Sequence, residues 1–326
     1  MAERDIAILR TARAGSAVPS GAELSRAASL LDEVMAGIGT LPKGTRLYVA
    51  STVGAIDLLE KGVCDDTLDW LVSRASSRGD FSSVTLVSAA CASGQSAVAA
   101  AVRALRAGRC ASALVVGLDI LSEFVSSGFS SLGAVSPTRI RPYSSDRDGM
   151  TLGEGAGALL LSAEADERPA GLIRGIGAAC DASHVTAPDL QGTYLAAAIE
   201  AALRDARVGV GEIAGIVGHG TGTVYNDQSE IAALNRVFGD APPPLVSIKG
   251  ETGHTLGATG VLQVIAGLEF VRKGEWPAQT GLTAPAPGAE RMVANVPRRI
   301  GPGPFLTLNA GFGGIDSALV VEGRRT

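Results

Sequence analysis

The chain has 326 residues, 46% hydrophobic and 19% charged, with a net charge of −5 at neutral pH. That apolar content excludes a disordered chain and supports a large core, in one big domain or two fused halves. The negative balance argues against a surface built for nucleic acid or an anionic membrane, and 4% aromatics argue against stacking platforms for single strands. The four cysteines, Cys64, Cys91, Cys110 and Cys180, form no CxxC pair and no Cys/His cluster with zinc spacing. Reduced intracellular thiols are expected, with neither metal nor cofactor. The opening MAERDIAILRTARAG lacks the apolar core of a signal peptide. No segment offers the roughly 18 uninterrupted apolar residues of a membrane helix, so a soluble cytoplasmic protein is the expectation.

Short apolar runs then alternate with alanine-rich helical stretches. Strands are predicted at 5–11, 46–52, 83–90, 111–121 and 157–165, with helices near 22–37, 66–77 and 93–107. The polar, proline-containing stretch ADERPAG (165–171) breaks the pattern and divides the chain into halves 1–165 and 166–326. Strands resume at 171–179, 214–220, 245–250, 305–311 and 317–323, with helices near 193–206, 227–238 and 257–273. Continuous apolar strands covered by helices on both faces define an α/β class. The second half echoes the first in order of elements. FLTLNAGFGG takes the place that TLVSAACASG holds earlier, which points to a duplicated architecture.

Cys91 falls where the run SSVTLVSAA, read as a buried strand, meets the helix SGQSAVAAAVRALRAG. A helix start presents free N–H groups and the positive end of the macrodipole, which favour a thiolate. A small buried core cysteine is the competing reading. Two of the three histidines lie at strand ends followed by small-residue turns: His219 in GHGTGTVYNDQSE and His254 in SIKGETGHTLGATG. Strand C-termini are where open α/β sheets bind ligands. His184, in DASHVTAPD, falls in an irregular loop. Either histidine alone reads as structural; the two together with Cys91 read as chemistry.

These motifs resemble the β-ketoacyl synthases of the KAS I/KAS II type, condensing enzymes of the thiolase superfamily. AACASG matches the family's cysteine turn, HGTGT its first histidine motif, and Lys249-Gly-Glu-Thr-Gly-His254-Thr-Leu-Gly-Ala-Thr-Gly260 its second. Asp227 and Glu230 match the acidic pair, and Asn309-Ala-Gly-Phe312-Gly-Gly the glycine loop. RPYSSDRDGMTLGEGAGALLL (141–161) is similar to a further segment, with Ser144 where Asp is more usual. The likeness runs from about residue 80 to the end. It implies a thiolase-like fold, five-layered αβαβα, from two similar halves: 1–165 with Cys91, and 166–326 with His219 and His254.

The resemblance also implies a reaction. Cys91 takes an acyl group from a thioester, and a malonyl thioester loses CO2 to give an enolate. His219 and His254 hold that charge as neutral N–H donors. The enolate carbon attacks acyl-Cys91, whose oxyanion is held by the backbone N–H groups of Cys91 and Phe312. Phe312 gates the site, with glycines at 311, 313 and 314 freeing its loop. Lys249 is a buried, positional lysine, for which Glu230 is the suggested partner. Asp227 and Glu230 read equally as first-turn acids completing a helix dipole. Thr221 and Thr223 read as pantetheine-binding hydroxyls or as a simple turn.

The expected partner is an acyl carrier protein bearing acyl and malonyl groups. The expected assembly is a homodimer, or a heterodimer with a related ketosynthase. The first 80 residues are shorter than the family's usual N-terminal region, and CDDTLDWLVSRASSRGDF (64–81) replaces a longer segment tied to dimer contacts and carrier docking. Arg103, Arg106 and Arg109 could meet an acidic carrier, though a solvated helix face is the plainer reading. The alternative function is a non-catalytic, chain-length-determining partner subunit; the intact Cys91, His219 and His254 weigh against it. A thiolase would need a cysteine after Cys180, and the TGH motif at His254 departs from the KAS III type.

Overall fold

The computed structural model describes residues 5–15, 25–164 and 168–324. The expected boundary at 165/166 and the first residues of the expected 22–37 helix lie outside these. The chain divides into two compact units, each drawn from three segments. Unit 1 comprises Met1–Gly128, Leu152–Leu172 and Thr255–Ile265; unit 2 comprises Phe129–Thr151, Ile173–His254 and Ala266–Thr326.

Unit 1 contains β1 (Ile6–Ala14), α1 (Arg26–Ile38), β2 (Arg46–Ala50), α2 (Ile56–Glu60), α3 (Thr67–Ser76) and β3 (Ser83–Val87). It continues with α4 (Ser93–Arg106), β4 (Ser112–Asp119), most of α5 (Glu123–Ser131) and β5 (Gly155–Ser162). Its strand order is β3-β2-β4-β5-β1, with β2 parallel to β3 and β4, and β5 antiparallel to β4 and β1. Every residue of β4 and β5 is buried, as continuous apolar strands covered on both faces should be. Strand periodicity divides β4 between two cores. Leu114, Val116 and Leu118 pack with Leu30, Leu31 and Val34 of α1, whereas Gly117 faces Val261. Ser25 starts α1 by accepting the Ala27 N–H at 3.1 Å.

Unit 2 contains β6 (Gly171–Cys180), α6 (Thr193–Ala206), β7 (Gly215–Val217), α7 (Val224–Phe238), β8 (Leu245–Val246) and α8 (Lys249–Thr252). After α9 (Thr259–Lys273), whose first residues belong to unit 1, come β9 (Glu275–Trp276), β10 (Arg298–Arg299), β11 (Phe305–Gly311) and β12 (Ile315–Gly323). The main strand order is β6-β12-β11-β7-β8, with β7 parallel to β8 and β11, and β11 antiparallel to β12. Leu195, Ile199 and Leu203 of α6 and Ile231 and Leu234 of α7 pack with Ile216, Leu306, Leu308 and Val320 from the strands.

The two units therefore repeat one topology: β1, β2, β3, β4 and β5 correspond to β6, β7, β8, β11 and β12. This corrects one expectation. The FLTLNAGFGG strand, β11, is the counterpart of β4, and the strand before Cys91 corresponds to β8. Neighbours in the sheet, rather than local likeness of sequence, decide equivalence.

Other differences are local. β3 is not the buried strand its sequence suggests: it is an edge of its unit, with Thr85 and Leu86 exposed. The strand expected at 245–250 stops at Val246, and Lys249 opens a short helix. The expected 257–273 helix begins with a tight turn at Leu256–Ala258. α2 and α5 carry too short an apolar repeat to be read from sequence. Among the described residues no helix is long and apolar enough to cross a membrane.

Candidate active site

Cys91 sits one residue before Ala92, the residue that caps α4. The turn that presents it is strained: Ala90 has φ +47°, a left-handed value that costs a residue with a side chain. Ser93 secures the turn, its Oγ donating to Ala90 O at 2.6 Å and accepting from Ala89 N at 2.8 Å. Cys91 is 6% exposed. Within unit 1 the start of α4 lies close to the Leu256–Ala258 turn, since a Cβ on Gly94 would fall 2.7 Å from Gly257 O.

In unit 2, β7 carries the chain into the HGTGT turn, which α7 follows. Gly220 and Gly222 adopt φ +33° and +71°, which glycine tolerates. Two carboxylates from α7 then cover four successive backbone donors. Glu230 accepts from His219 N at 2.7 Å and Gly220 N at 2.8 Å. Asp227 accepts from Thr221 N at 3.0 Å and Gly222 N at 3.2 Å. Their spacing of three puts both on one helix face. Both are buried, so burial pushes each carboxyl up, Glu230 to about 7, against the pull of these bonds. The acidic pair thus holds the turn itself, a more specific task than completing a helix dipole.

His219 and His254 are buried, their ring centroids 5.5 Å apart and nearly perpendicular at 87°. Burial, with the Lys249 charge, holds both imidazoles well below the ordinary histidine range. Both are neutral at pH 7. Lys249, for which the sequence suggests Glu230 as partner, reaches His219: Nζ donates to the His219 carbonyl and lies 3.3 Å from its Nδ1. The Asn309 amide nitrogen also faces Nδ1, at 3.5 Å. Two donors aimed at Nδ1 make it the acceptor, which leaves the proton on Nε2. His219 is therefore a neutral Nε2–H donor. The His254 main chain is tied by its N–H to Thr151 O at 2.7 Å.

Phe312 is half-buried and stacks on Phe129, with centroids 5.9 Å apart, and Phe129 meets the His254 ring at 6.5 Å. Phe129 lies in the helix that sequence reasoning missed, and EFVSSGFSS carries no signal that would have found it. Gly313 N donates to Val185 O at 2.7 Å, and Asp181 N to Gly314 O at 2.7 Å, so the loop of His184 fastens the glycine loop. Gly311 is half-buried and Gly313 exposed. His184 is exposed, and its Nδ1 accepts from Thr186 N and Ala187 N. Thr221 and Thr223 bond to each other at 2.9 Å, Thr221 buried and Thr223 partly exposed. Ser144 bonds Asp146 at 2.6 Å, and Asp146 also accepts from Thr283 Oγ1 at 2.6 Å, so an acid two residues on takes up this corner. Arg103 and Arg109 are exposed and Arg106 half-buried. Among the described residues no group of three His, Cys, Asp or Glu could hold a metal.

Two family models match the chain: Beta-ketoacyl synthase, N-terminal domain, over residues 75–167, and Beta-ketoacyl synthase, C-terminal domain, over residues 170–283. The chain belongs to the β-ketoacyl synthase family. Nodulation protein E of Rhizobium leguminosarum bv. trifolii is 37% identical over 221 residues, 65% of this chain and 55% of that protein. The tetracenomycin polyketide synthase ketoacyl synthase alpha subunit of Streptomyces glaucescens is 33% identical over 253 residues, 73% of this chain and 59% of that protein. The chain thus spans little more than half the length of these curated relatives. The solved ishigamide ketosynthase/chain length factor superposes with a TM-score of 0.84 at 28% identity, covering 95% of this chain and 85% of that one. The thiolase-like α/β fold expected from the motifs is the fold of this β-ketoacyl synthase family member.

Proposed function

We propose that the chain catalyses a decarboxylative Claisen condensation in fatty-acid or polyketide-type chain elongation. The Cys91 thiolate accepts an acyl group from an acyl-carrier thioester and releases the carrier thiol. Malonyl thioester then loses CO2, and the electron pair left on its α-carbon forms an enolate. That carbon attacks the acyl-Cys91 carbonyl; the C–S bond breaks, and 3-oxoacyl thioester leaves with Cys91 restored as thiolate. His219 and His254 stabilise the enolate oxygen by hydrogen bonds, and the backbone N–H groups of Cys91 and Phe312 serve the tetrahedral oxyanion.

The observation that carries this reading is the state of the two histidines. They are neutral at working pH, and His219 is fixed as an Nε2–H donor by Lys249 and Asn309. Donors of that kind oppose a developing negative charge without losing a proton. In this reading Lys249 and Asn309 position His219, while Asp227 and Glu230 hold its turn. Thr221, Thr223, Gly311 and Gly313 line the approach of the pantetheine arm.

The exposed edge of β3 favours pairing with a second chain, a copy or a related ketosynthase, because an uncovered strand edge invites a partner. A chain-length-determining subunit is the second reading, favoured by likeness to a solved ketosynthase/chain length factor. Intact-protein mass spectrometry separates the two. The protein is mixed with acyl-carrier thioesters and then malonyl carrier, beside Cys91→Ala. The condensing reading expects an acyl mass on Cys91 and a malonyl-dependent 3-oxoacyl product. A folded protein that takes no acyl group from any thioester leaves the partner-subunit reading.

A further inference from the structure

Tyr143 is fully buried outside any helix or strand, with φ +59°, a backbone state that non-glycine residues avoid. Hydrogen bonds of its backbone and its phenol hold it there. Its N–H donates to Asp227 Oδ2 at 2.7 Å, its carbonyl accepts from Ala286 N at 2.7 Å, and its phenol donates to Glu230 Oε2 at 2.9 Å. The chain on either side of His219 is cut away to admit the ring. A Cβ on Gly218 would fall 2.1 Å from the phenol oxygen, and one on Gly220 2.6 Å from it.

We propose that Tyr143 is a positioning residue for His219, acting through Glu230: its phenol O–H anchors the carboxylate that clamps the His219 and Gly220 backbone N–H groups. The clamp sets the height of the imidazole beneath Lys249. The inference rests on the condensing reading given above for what His219 does, but the clamp can be tested without it.

A phenylalanine would fill the same space and lack only the hydroxyl, which donates to Glu230 and also accepts from the Gly220 N–H, so the hydroxyl needs its own reason. Glu230 is a carboxylate under strain of burial, pushed up to about 7 and drawn back by its bonds from Gly220, His219 and Tyr143. Tyr143 itself is raised well above its ordinary value, by burial and then by the Glu230 and Asp227 charges, so it stays a proton donor. The other charged groups around Glu230 are few. Asp227 lies on the same helix, with Arg147 3.8 Å beyond it. Asp316 approaches from β12, and Lys249 from α8 across His219. His254 lies beyond His219 and is neutral. Without the phenol, Glu230 takes a proton at higher pH. A protonated Glu230 cannot serve both N–H groups equally, and His219 moves.

The test compares the full chain, Tyr143→Phe, and wild-type protein made with 3-fluorotyrosine, whose phenol is the stronger donor. The chain has three histidines, so labelled imidazole NMR resolves His219. Its signal is followed between about pH 6 and 9, beside malonyl-thioester decarboxylation. The wild type should show a step near pH 7 that reports Glu230. Tyr143→Phe should raise that step by about one unit, and fluorotyrosine should lower it. Decarboxylation by Tyr143→Phe should fall about fivefold at pH 7 and return to within about twofold of wild type at pH 9. A His219 step that is absent from the wild type, or that neither change moves, overturns the proposal. So does a rate loss equal at every pH. If Tyr143→Phe fails to fold, the fluorotyrosine protein decides. If the wild type decarboxylates nothing, the condensing reading fails, while the His219 step still tests Tyr143.

Discussion

Lys249 puts a full charge beside His219 and so decides what that ring can be. With its ammonium toward Nδ1 and the carbonyl, His219 has one tautomer and no tendency to protonate near pH 7. Lys249→Met should remove both effects. Decarboxylation is expected to fall about 10²-fold or more, while iodoacetamide labelling of Cys91 persists. A double loss of labelling and decarboxylation would mean that Lys249 supports the fold rather than His219. His219→Ala should cost about 10²–10³-fold in decarboxylation by removing one donor to the enolate, measured as CO2 release. Because burial first, and Lys249 second, lower the His219 pKa, its N–H donor is kept as pH falls to well below 6.5. An acid limb near pH 7 that disappears in Glu230→Gln and survives in Asp316→Asn belongs to Glu230. The roles proposed for Cys91, His219 and His254 rest on short motifs. The partner of Lys249 is not, since a buried ammonium is served by whatever acceptors the fold folds over it.

Two carboxylates on α7 hold the turn before the helix, and that device depends on helical spacing. Asp227→Asn keeps an acceptor but loses charge, whereas Asp227→Ala uncovers Thr221 N and Gly222 N. The alanine variant should lose about 2 kcal/mol or more of stability in urea unfolding, and the asparagine variant less. At the other unit's edge, β3 has the sequence of a buried strand and is half-exposed. An apolar run says that a strand buries its side chains. It does not say which molecule covers them. Leu86 is 37% exposed. If β3 pairs with a second chain, Leu86→Glu should lower the solution mass to that of one chain, by light scattering. The isolated chain's stability should change by no more than about 0.5 kcal/mol. α5 leaves no periodic signal in the sequence, because only Val125 among its residues is buried. So short a helix is defined by its neighbours rather than by its own periodicity.

The whole molecule carries a pH signature. Asp316 is buried on β12 and pushed up to about 7 by burial, then by Asp181, Glu230 and Asp189. A carboxyl raised in the folded state favours folding while protonated, and that contribution is lost as pH rises through the folded value. Stability should therefore decline between about pH 4.5 and 7.5 as Asp316 and Glu230 ionise. Asp316→Asn should flatten part of that decline and raise the melting temperature above pH 7, the gain at most about 4 kcal/mol. A melting curve whose pH dependence is identical in the variant would contradict it.

Alternating apolar runs and helical stretches were enough to place nearly every strand of both units, because hydrophobic period is a local property of the chain. The family was legible for the same reason: its chemistry needs particular residues at fixed spacing in AACASG, HGTGT and KGETGH. The equivalence of β3 with β8, the reach of Lys249 to His219, the Phe129–Phe312 stack and the anchoring of Glu230 by Tyr143 were decided by tertiary structure alone. Tyr143 and Glu230 are separated by 87 residues. No local pattern encodes such a pair; it exists because buried polar groups must find partners wherever the fold brings the chain together.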